Sequence, residues 1–374
     1  MVSKSLVSAF VIGGLAMASD ASAATFKSAD YVLNVVSVAE GLEHPWGLAF
    51  LPDGRMIVTE REGALRLIGK DGEKYAPLTG APVVDNSGQG GMLDVALDPG
   101  FRQNRLIYIS YAEPGQGGSG TAVARAELDV AGNRLVGLAV VFRQLPKTGG
   151  GRHYGSRLVF APDGNLFITI GERGERDRAQ DFTINRGQVI RIHPDGTIPA
   201  DNPFVGRAGY RPEVWSYGHR NPQGAALHPQ TGKLWTVEHG ARGGDEVNIP
   251  EAGKNYGWPV IAYGRHYTGL SIGEGTHKPG MEQPVYYWDP SIAPSGMDFY
   301  SGDKFPKWQG NLLVAALKYQ LVARLTLDGD KVVAEERILA DLDERIRHVR
   351  QGPDGYIYLL TDDDDGRILR LEPG

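Results

Sequence analysis

Six times along the chain, a turn rich in proline, aspartate and glycine precedes a short run of apolar, β-branched and aromatic residues. Proline and aspartate favour tight turns, and glycine adopts the positive φ that other residues resist. The turns and their runs are residues 52–54 before 56–59, 98–100 before 106–109, 162–164 before 166–169, 228–232 before 234–237, 308–310 before 312–314, and 353–355 before 357–360. Each run has the composition of a buried strand, so the pattern predicts six repeated β-sheet units.

The spacing of these units predicts how they assemble. Successive turns lie roughly 45 to 80 residues apart, which is enough for four antiparallel strands and their loops. We therefore predict an all-β, six-bladed β-propeller of four-stranded antiparallel blades, with residues 24–374 as a single domain. Residues 31–36 are expected to complete the last blade beside residues 368–371. Two separate β domains are the alternative, but no linker-like segment supports them.

The first 23 residues have the pattern of a cleavable signal peptide. Lys4 precedes an apolar stretch over residues 6–17, and Ala21-Ser22-Ala23 forms a small-x-small cleavage site. This stretch is shorter than the roughly 20 apolar residues that a membrane span needs. A buried N-terminal helix is the alternative. The pattern predicts export of residues 24–374 to the periplasm without an integral membrane anchor.

Composition narrows the classes of site. The 39 basic and 45 acidic residues give a net charge of -6, which does not favour nucleic-acid binding. The 51 glycines and 23 prolines agree with many tight turns between short strands. The chain has no cysteine, which excludes disulfides and thiolate metal sites.

Chemically distinctive residues cluster in the loops between these units. His153 follows a glycine run and could act as a base near neutral pH. Arg220 and Asn221 precede the fourth unit, and residues 238–248 combine glycines with carboxylates, as a calcium site requires. Lys318 and the pair Arg345 and Arg347 add positive charge. Each group alone has an ordinary structural explanation: a packing histidine, an acidic surface loop or solvent-facing cations.

Seven sequence blocks, taken together and in order, resemble the soluble quinoprotein glucose dehydrogenases and their shorter relatives, the aldose sugar dehydrogenases. The resemblance spans essentially the whole chain after residue 23. The blocks are residues 44–47 with 59–61, 88–93, 149–158, 198–204, 218–224, 240–259 and 344–349.

This resemblance implies an oxidoreductase that uses pyrroloquinoline quinone (PQQ) and calcium to oxidise aldose sugars at C1 to the lactone. His153 matches the general base that accepts the C1 hydroxyl proton while hydride passes to the quinone. Arg220 matches a catalytic residue beside the reactive carbonyl of the quinone. The other matching positions are cofactor contacts at Gln89, Asn221, Lys318, Arg345 and Arg347, carbonyl ligands of one calcium at Gly240 and Ala241, and ligands of a second calcium at Glu246 and the Tyr256 carbonyl.

Three positions depart from the family pattern or match it loosely. Ala241 stands where the glucose dehydrogenases have proline, and Arg152 replaces an acidic neighbour of the base. An adjacent cation should favour the neutral imidazole of His153. Ser291 lies in a segment that resembles a cofactor contact.

Two other functions stay open at this point: a calcium-dependent lactonase or esterase on a propeller, and a non-enzymatic extracellular binding propeller. For the dehydrogenase, the electron acceptor is unassigned between a soluble redox carrier and a quinone. The oligomeric state is open.

Overall fold

The structure is a computed structural model that describes residues 24–374, and these residues form six antiparallel β-sheets. The innermost strand of each sheet contacts the innermost strands of the two neighbouring sheets, so the six sheets close into a ring. This arrangement confirms the predicted six-bladed β-propeller. The predicted signal peptide, residues 1–23, lies outside the described residues.

The strands are numbered β1 to β24 in chain order. Two strands precede the first blade, namely β1 (Ala24–Lys27) and β2 (Val32–Leu42). Blades 1 to 3 contain β3 (Pro45–Phe50), β4 (Met56–Glu60) and β5 (Leu65–Ile68); β6 (Met92–Leu97), β7 (Leu106–Gly115), β8 (Gly118–Asp129) and β9 (Arg134–Arg143); and β10 (Leu158–Phe160), β11 (Leu166–Ile170), β12 (Gln188–Ile192) and β13 (Val214–Tyr217).

Blades 4 to 6 contain β14 (Pro222–Leu227), β15 (Leu234–Glu238), β16 (Asp245–Asn248) and β17 (Tyr286–Trp288); β18 (Pro294–Phe299), β19 (Leu312–Ala316), β20 (Leu321–Asp328) and β21 (Lys331–Ile338); and β22 (Ile346–Gln351), β23 (Ile357–Thr361) and β24 (Gly366–Pro373). The helical segments are one short helix, α1 (Phe101–Asn104), and 3₁₀ turns at Arg176–Gln180, Pro306–Trp308 and Ala340–Leu342.

Two blades vary the four-stranded plan. Blade 1 has three regular strands, and its fourth position is taken by an irregular segment in which Tyr75 and Leu78 donate backbone hydrogen bonds to β5. Blade 6 has five strands, because β2 and β1 continue its sheet beyond β24. The β2–β24 register runs from Leu33 opposite Pro373 to Leu42 opposite Gly366. The predicted pairing of the two ends of the chain is therefore confirmed.

The repeated turns form as predicted in most blades but differ in blade 2. Gly54 has a φ of 89°, and its amide donates to the Leu51 carbonyl to close a tight turn before β4. In blade 2, by contrast, Gly100 has a φ of -91° and caps helix α1. The Asp98 side chain accepts a hydrogen bond from the Gly100 amide at 2.8 Å and so starts a helical turn instead.

The hydrophobic core consists of separate clusters, one between each pair of adjacent blades. Trp235 of blade 4, for example, packs with Phe299 and Leu312 of blade 5. Equivalent clusters fill the other five interfaces, including the one between blade 6 and blade 1 that closes the ring. Burying apolar surface at every interface stabilises the closed ring as a unit.

The direction of the strands defines two faces of the propeller. In each blade the innermost strand runs antiparallel to the second strand, so the start of one lies beside the end of the other. We call the face at which the innermost strands start the upper face. The innermost strands all end at the opposite, lower face, where their last residues line a common cavity.

Candidate active site

The upper face collects all of the predicted catalytic and cofactor residues. Gln89, His153, Arg220, Asn221 and Arg345 lie in loops that lead into innermost strands, and Arg347 lies at the start of β22. Lys318 follows the end of β19, the second strand of blade 5. The topology therefore brings residues from five blades to one end of the central channel.

His153 is oriented by a carboxylate. Its Nδ1 lies 2.8 Å from Oε1 of Glu172, which follows the end of β11 and is 1% exposed. An ionised carboxylate only accepts hydrogen bonds, so Nδ1 carries the proton and Nε2 keeps a free lone pair. Among residues 24–374, Nε2 of His153 has no hydrogen-bond partner. The imidazole is thus set to accept a proton from a ligand.

Two residues predicted to contact the cofactor also hold the His153 loop. Oε1 of Gln89 accepts the His153 amide at 2.8 Å, and Oδ1 of Asn221 accepts the Gly155 amide at 3.0 Å. His153 itself has a φ of 55°, a conformation that costs energy for a residue with a Cβ. The two side-chain bonds help to maintain that conformation.

The surroundings of His153 favour its neutral form. Burial is the largest cause and lowers the pKa of His153, Glu172 opposes this effect, and Arg220 reinforces it. Arg152 also lowers the pKa, as the sequence predicts, but it is the smallest of the contributions. The neutral imidazole needed for a base is therefore maintained mainly by burial.

Arg220 lies between the histidine and the glycine-rich loop. Its amide donates to Oε2 of Glu238 at 2.6 Å, and its guanidinium donates to the His239 carbonyl at 3.1 Å. Its Nε is buried without a hydrogen-bond partner in the described chain. No carboxylate lies within ion-pair distance of its guanidinium in residues 24–374, so this positive charge is uncompensated.

The four predicted calcium ligands line one enclosed cavity next to Arg220. This cavity, of about 10 Å³, has room for a single water-sized species. The carbonyls of Gly240 and Tyr256 accept no hydrogen bond from any described residue. Ala241 and Glu246 complete the predicted set. Free carbonyls and one carboxylate are the hard oxygen donors that calcium prefers.

Negative charge is concentrated beside the same cavity. Glu246 lies directly opposite Glu238 in the β15–β16 pair, and the Asn248 amide donates to both carboxylates at 3.1 Å. Burial, followed by repulsion from Glu238, raises the pKa of Glu246 to about 8. A bound cation would relieve this repulsion, so the residues present fit a calcium ion.

Gly240 and Ala241 also border a second, open cavity of about 680 Å³. Lys318 and Ser291 lie on its wall, and the Lys318 ammonium lies 4.9 Å from the centre of the Tyr319 ring. No ion pair to Lys318 occurs in the part of the chain that the structure describes. This cavity therefore presents an uncompensated cation beside the proposed calcium ligands.

Arg345 and Arg347 converge on one carboxylate. Oδ2 of Asp362 accepts hydrogen bonds from Arg345 at 3.0 Å and from Arg347 at 2.8 Å, and His44 lies 3.1 Å from Oδ1. Burial alone would raise the pKa of Asp362, but the two arginines outweigh it and lower the pKa. One carboxylate thus holds two arginines and leaves a net positive charge for an anionic ligand.

Arg157 closes the channel below these residues. It is fully buried. It contacts all five of the other blades, through Trp46, Asp94, Gln223, Ser295 and His348. Its ion pair with Asp94 is 2.9 Å long. Because the Arg157 guanidinium fills the central axis of the propeller, the channel is closed below the upper face.

Sequence reasoning missed Glu172 and Asp362 and assigned Glu238 only to a calcium-type loop, although all three carboxylates orient the site. Each follows or ends the second strand of its blade, and Glu60 has the same position in blade 1. The signal was present, because four of the six repeated runs are followed by an acidic residue within three positions. A second strand ends where the adjacent innermost strand starts, which places these acids next to the loop residues they bind.

Comparison with known proteins identifies the family. A sequence model of the glucose/sorbosone dehydrogenases matches residues 42–370. The chain belongs to the glucose/sorbosone dehydrogenase family. This membership confirms the predicted enzyme class, an oxidoreductase that acts on sugars.

The relatives of this glucose/sorbosone dehydrogenase family member share its length and fold. The chain is 49% identical to the aldose sugar dehydrogenase YliI of Escherichia coli K12 over 350 residues, which cover 92% of this chain and 94% of that protein. A crystal structure of a glucose dehydrogenase matches with a TM-score of 0.90 and 51% identity, over 91% of this chain and 99% of that one. The PQQ-bound aldose sugar dehydrogenase of Streptomyces coelicolor matches with a TM-score of 0.75 and 32% identity, over 91% and 98% of the two chains.

None of the helices in residues 24–374 is long and apolar enough to cross a membrane.

Proposed function

We propose that this protein oxidises aldose sugars at C1 to the lactone in the periplasm, with PQQ and calcium as cofactors and His153 as the general base. Membership of the glucose/sorbosone dehydrogenase family supports sugar oxidation. The PQQ-bound Streptomyces relative supports the quinone. The observation that carries the proposal is the His153–Glu172 pair, whose free Nε2 lies on the cationic upper face.

The chain's own residues account for the proton transfer. Nε2 of His153 accepts the proton of the C1 hydroxyl. Glu172, through its hydrogen bond to Nδ1, stabilises the resulting imidazolium. Arg220 disfavours protonation of His153 before the sugar arrives, because its charge acts on the imidazole. When bound, the quinone would accept the C1 hydride, which carries the two electrons of the oxidation, and calcium would polarise the quinone.

The cations of the upper face fit a tricarboxylate quinone. Lys318 and Arg220 have no carboxylate partner in residues 24–374, and Arg347 and Arg220 each have a buried Nε without a hydrogen-bond partner. We assign quinone binding to these residues with Arg345, Gln89 and Asn221. The carbonyls of Gly240 and Ala241, which also border the open cavity, would hold the calcium at the cofactor, while Glu246 and the Tyr256 carbonyl would hold a second calcium in the small cavity.

The two alternative functions fit less well. A propeller lactonase places a metal held by carboxylates and amides on the central axis, whereas here the Arg157 guanidinium occupies that axis. A binding propeller has no need for a buried carboxylate behind a histidine with a free nitrogen.

A single-turnover experiment tests the proposal. Purified protein is loaded with PQQ and calcium without an external electron acceptor, and glucose or another aldose is added while quinone absorbance is recorded. We expect sugar-dependent reduction of the quinone, and we expect chelation of calcium to prevent it.

The matched controls separate binding from chemistry. The loaded His153→Ala variant should keep the quinone but reduce it slowly, and His193→Ala, which changes an exposed histidine outside the site, should behave as wild type. The proposal is wrong if no aldose in a mono- and disaccharide panel reduces the quinone. It is also wrong if protein shown to be metal-free turns over fully in excess chelator.

A further inference from the structure

We infer that the lower face carries a second ligand site, at which Arg350 binds the carboxylate of a small organic acid with an apolar body. This site is an open cavity of about 570 Å³, a size typical of small-molecule pockets. The last residues of all six innermost strands line it. It lies at the end of the channel opposite His153.

The lining of the cavity combines apolar walls with one free cation. Phe50, Phe160 and Leu227, which are each partly exposed, contribute apolar surface. The Arg350 guanidinium is partly buried and makes no hydrogen bond or ion pair with any residue in the range 24–374. An arginine with five unused donors at an apolar wall is suited to a planar carboxylate, which accepts two parallel hydrogen bonds.

No carboxylate along the channel makes a hydrogen bond or an ion pair with Arg350 in the described chain. Arg157 is paired with Asp94, and Arg347 is paired with Asp362. Asp298, the other charged residue of the lower cavity, uses its two oxygens to accept the backbone amides of Phe299 and Gln351 at 3.0 and 2.9 Å. Burial raises the pKa of Asp298 and Arg350 opposes this, so the two charges act on each other, but the Asp298 oxygens are already engaged by backbone amides.

The lower site is separate from the proposed quinone site. Arg157 and its partners fill the axis between the two faces. A ligand at Arg350 therefore cannot reach His153 through the channel. The chemistry also differs, because the upper face offers several cations and free carbonyls, whereas the lower cavity offers one cation and mostly apolar side chains.

Calorimetric titration with 2-naphthoate tests this inference, with the neutral isostere 2-naphthamide as the ligand control. We expect saturable naphthoate binding in the millimolar range or tighter. Arg350→Gln should weaken it at least about tenfold, because the charge-assisted hydrogen bonds are lost. Naphthamide should bind wild type as weakly as naphthoate binds Arg350→Gln, and Arg350→Lys should retain an intermediate affinity.

Two further variants locate the binding. Arg102→Gln changes an exposed, unpaired arginine on α1, and Lys318→Gln changes a cation of the upper face. Both should bind naphthoate as wild type does, and thermal melts should show that all variants are folded. The inference is overturned if wild type does not bind naphthoate, if folded Arg350→Gln binds it equally well, or if Lys318→Gln abolishes the binding.

Discussion

Blades 3 and 4 each carry a histidine paired with a glutamate 19 residues further along the chain, and only one of the two pairs leaves a ring nitrogen without a hydrogen-bond partner in residues 24–374. In blade 3, Nδ1 of His153 lies 2.8 Å from Glu172. In blade 4, Nδ1 of His219 lies 2.9 Å from Glu238. Both glutamates belong to the ends of second strands, and both histidines precede innermost strands.

The two pairs differ at the other ring nitrogen. Nε2 of His219 is 2.9 Å from the Ser216 hydroxyl, and its ring is stacked on Tyr256 with 4.6 Å between the ring centres. His219 is fully buried, whereas His153 is 9% exposed at the upper face and its Nε2 has no partner in the described chain. Both nitrogens of His219 are therefore satisfied within the fold, whereas Nε2 of His153 is available to the sugar in the proposed mechanism.

The largest expected effects come from replacing each of the two histidines with alanine. His153→Ala should lower kcat about 10²- to 10⁴-fold, because the proton acceptor is lost, while quinone affinity stays close to wild type. His219→Ala should keep most turnover in the folded, loaded enzyme and lower the free energy of unfolding by about 2 kcal/mol. Single-turnover quinone reduction, quinone titration and denaturant unfolding measure these effects. Near wild-type reduction by quinone-loaded His153→Ala would falsify the assignment of the base.

The paired glutamates sharpen the comparison through pH. Glu172→Gln should lower kcat/KM about 10- to 100-fold, since the imidazolium loses its stabilising carboxylate. Glu172 raises the pKa of His153, so its loss should lower that pKa and move the acid limb of the kcat/KM profile to lower pH. Glu238→Gln should leave that limb in place and reduce stability instead. An unshifted limb in folded Glu172→Gln would show that Glu172 does not act on the base.

Cofactor binding should vary independently of both pairs. Lys318→Ala should weaken quinone binding about tenfold and leave the sugar KM and the acid limb unchanged, because its proposed partner is a quinone carboxylate. Arg345→Ala should act in the same direction, with a smaller effect because Asp362 already shares its charge. Quinone titration beside sugar kinetics separates the two constants. A raised sugar KM with unaltered quinone affinity contradicts the assignment.

The smallest expected effect comes from freeing Nε2 of His219, which tests whether an imidazole nitrogen without a hydrogen-bond partner is sufficient for catalysis. Ser216→Ala removes the hydrogen bond at Nε2 of His219 and should cost about 1 kcal/mol of stability with kcat unchanged. In a His153→Ala background it should restore no activity, because His219 remains buried against Tyr256. Recovered turnover in the double variant would mean that burial and position do not distinguish the pairs.

Much of this architecture follows from local sequence. The turn and strand units predict the six blades because turn chemistry and strand composition act over a few residues. The pairing of residues 31–36 with the last blade is also confirmed, because a propeller must close its ring. The exception at Gly100 depends on one aspartate side chain that starts a helix where a turn was expected.

The sequence predicted which residues form the candidate site but not which side chains those residues contact. The resemblance to a family supplied His153, Arg220 and the cations, whereas their contacts with Glu172, Glu238 and Asp362 emerged only from the structure. Their contacts join residues 15 to 19 positions apart, which a local pattern does not connect. Each acidic residue lies at the end of the second strand of its blade, and its partner precedes or begins the innermost strand. The two residues meet only after the second strand has folded back beside the innermost strand.

The sequence by itself determined the repeat, the fold class, the family and the block of residues that contains the proposed base, His153. Only the tertiary structure decided which histidine keeps a free nitrogen and which cation lacks a carboxylate. His153 and His219 have the same sequence spacing to a glutamate, yet Ser216 and Tyr256 enclose only the second. The physical reason is that reactivity depends on what surrounds each side chain in space, and burial and hydrogen-bond partners are set when the six blades close.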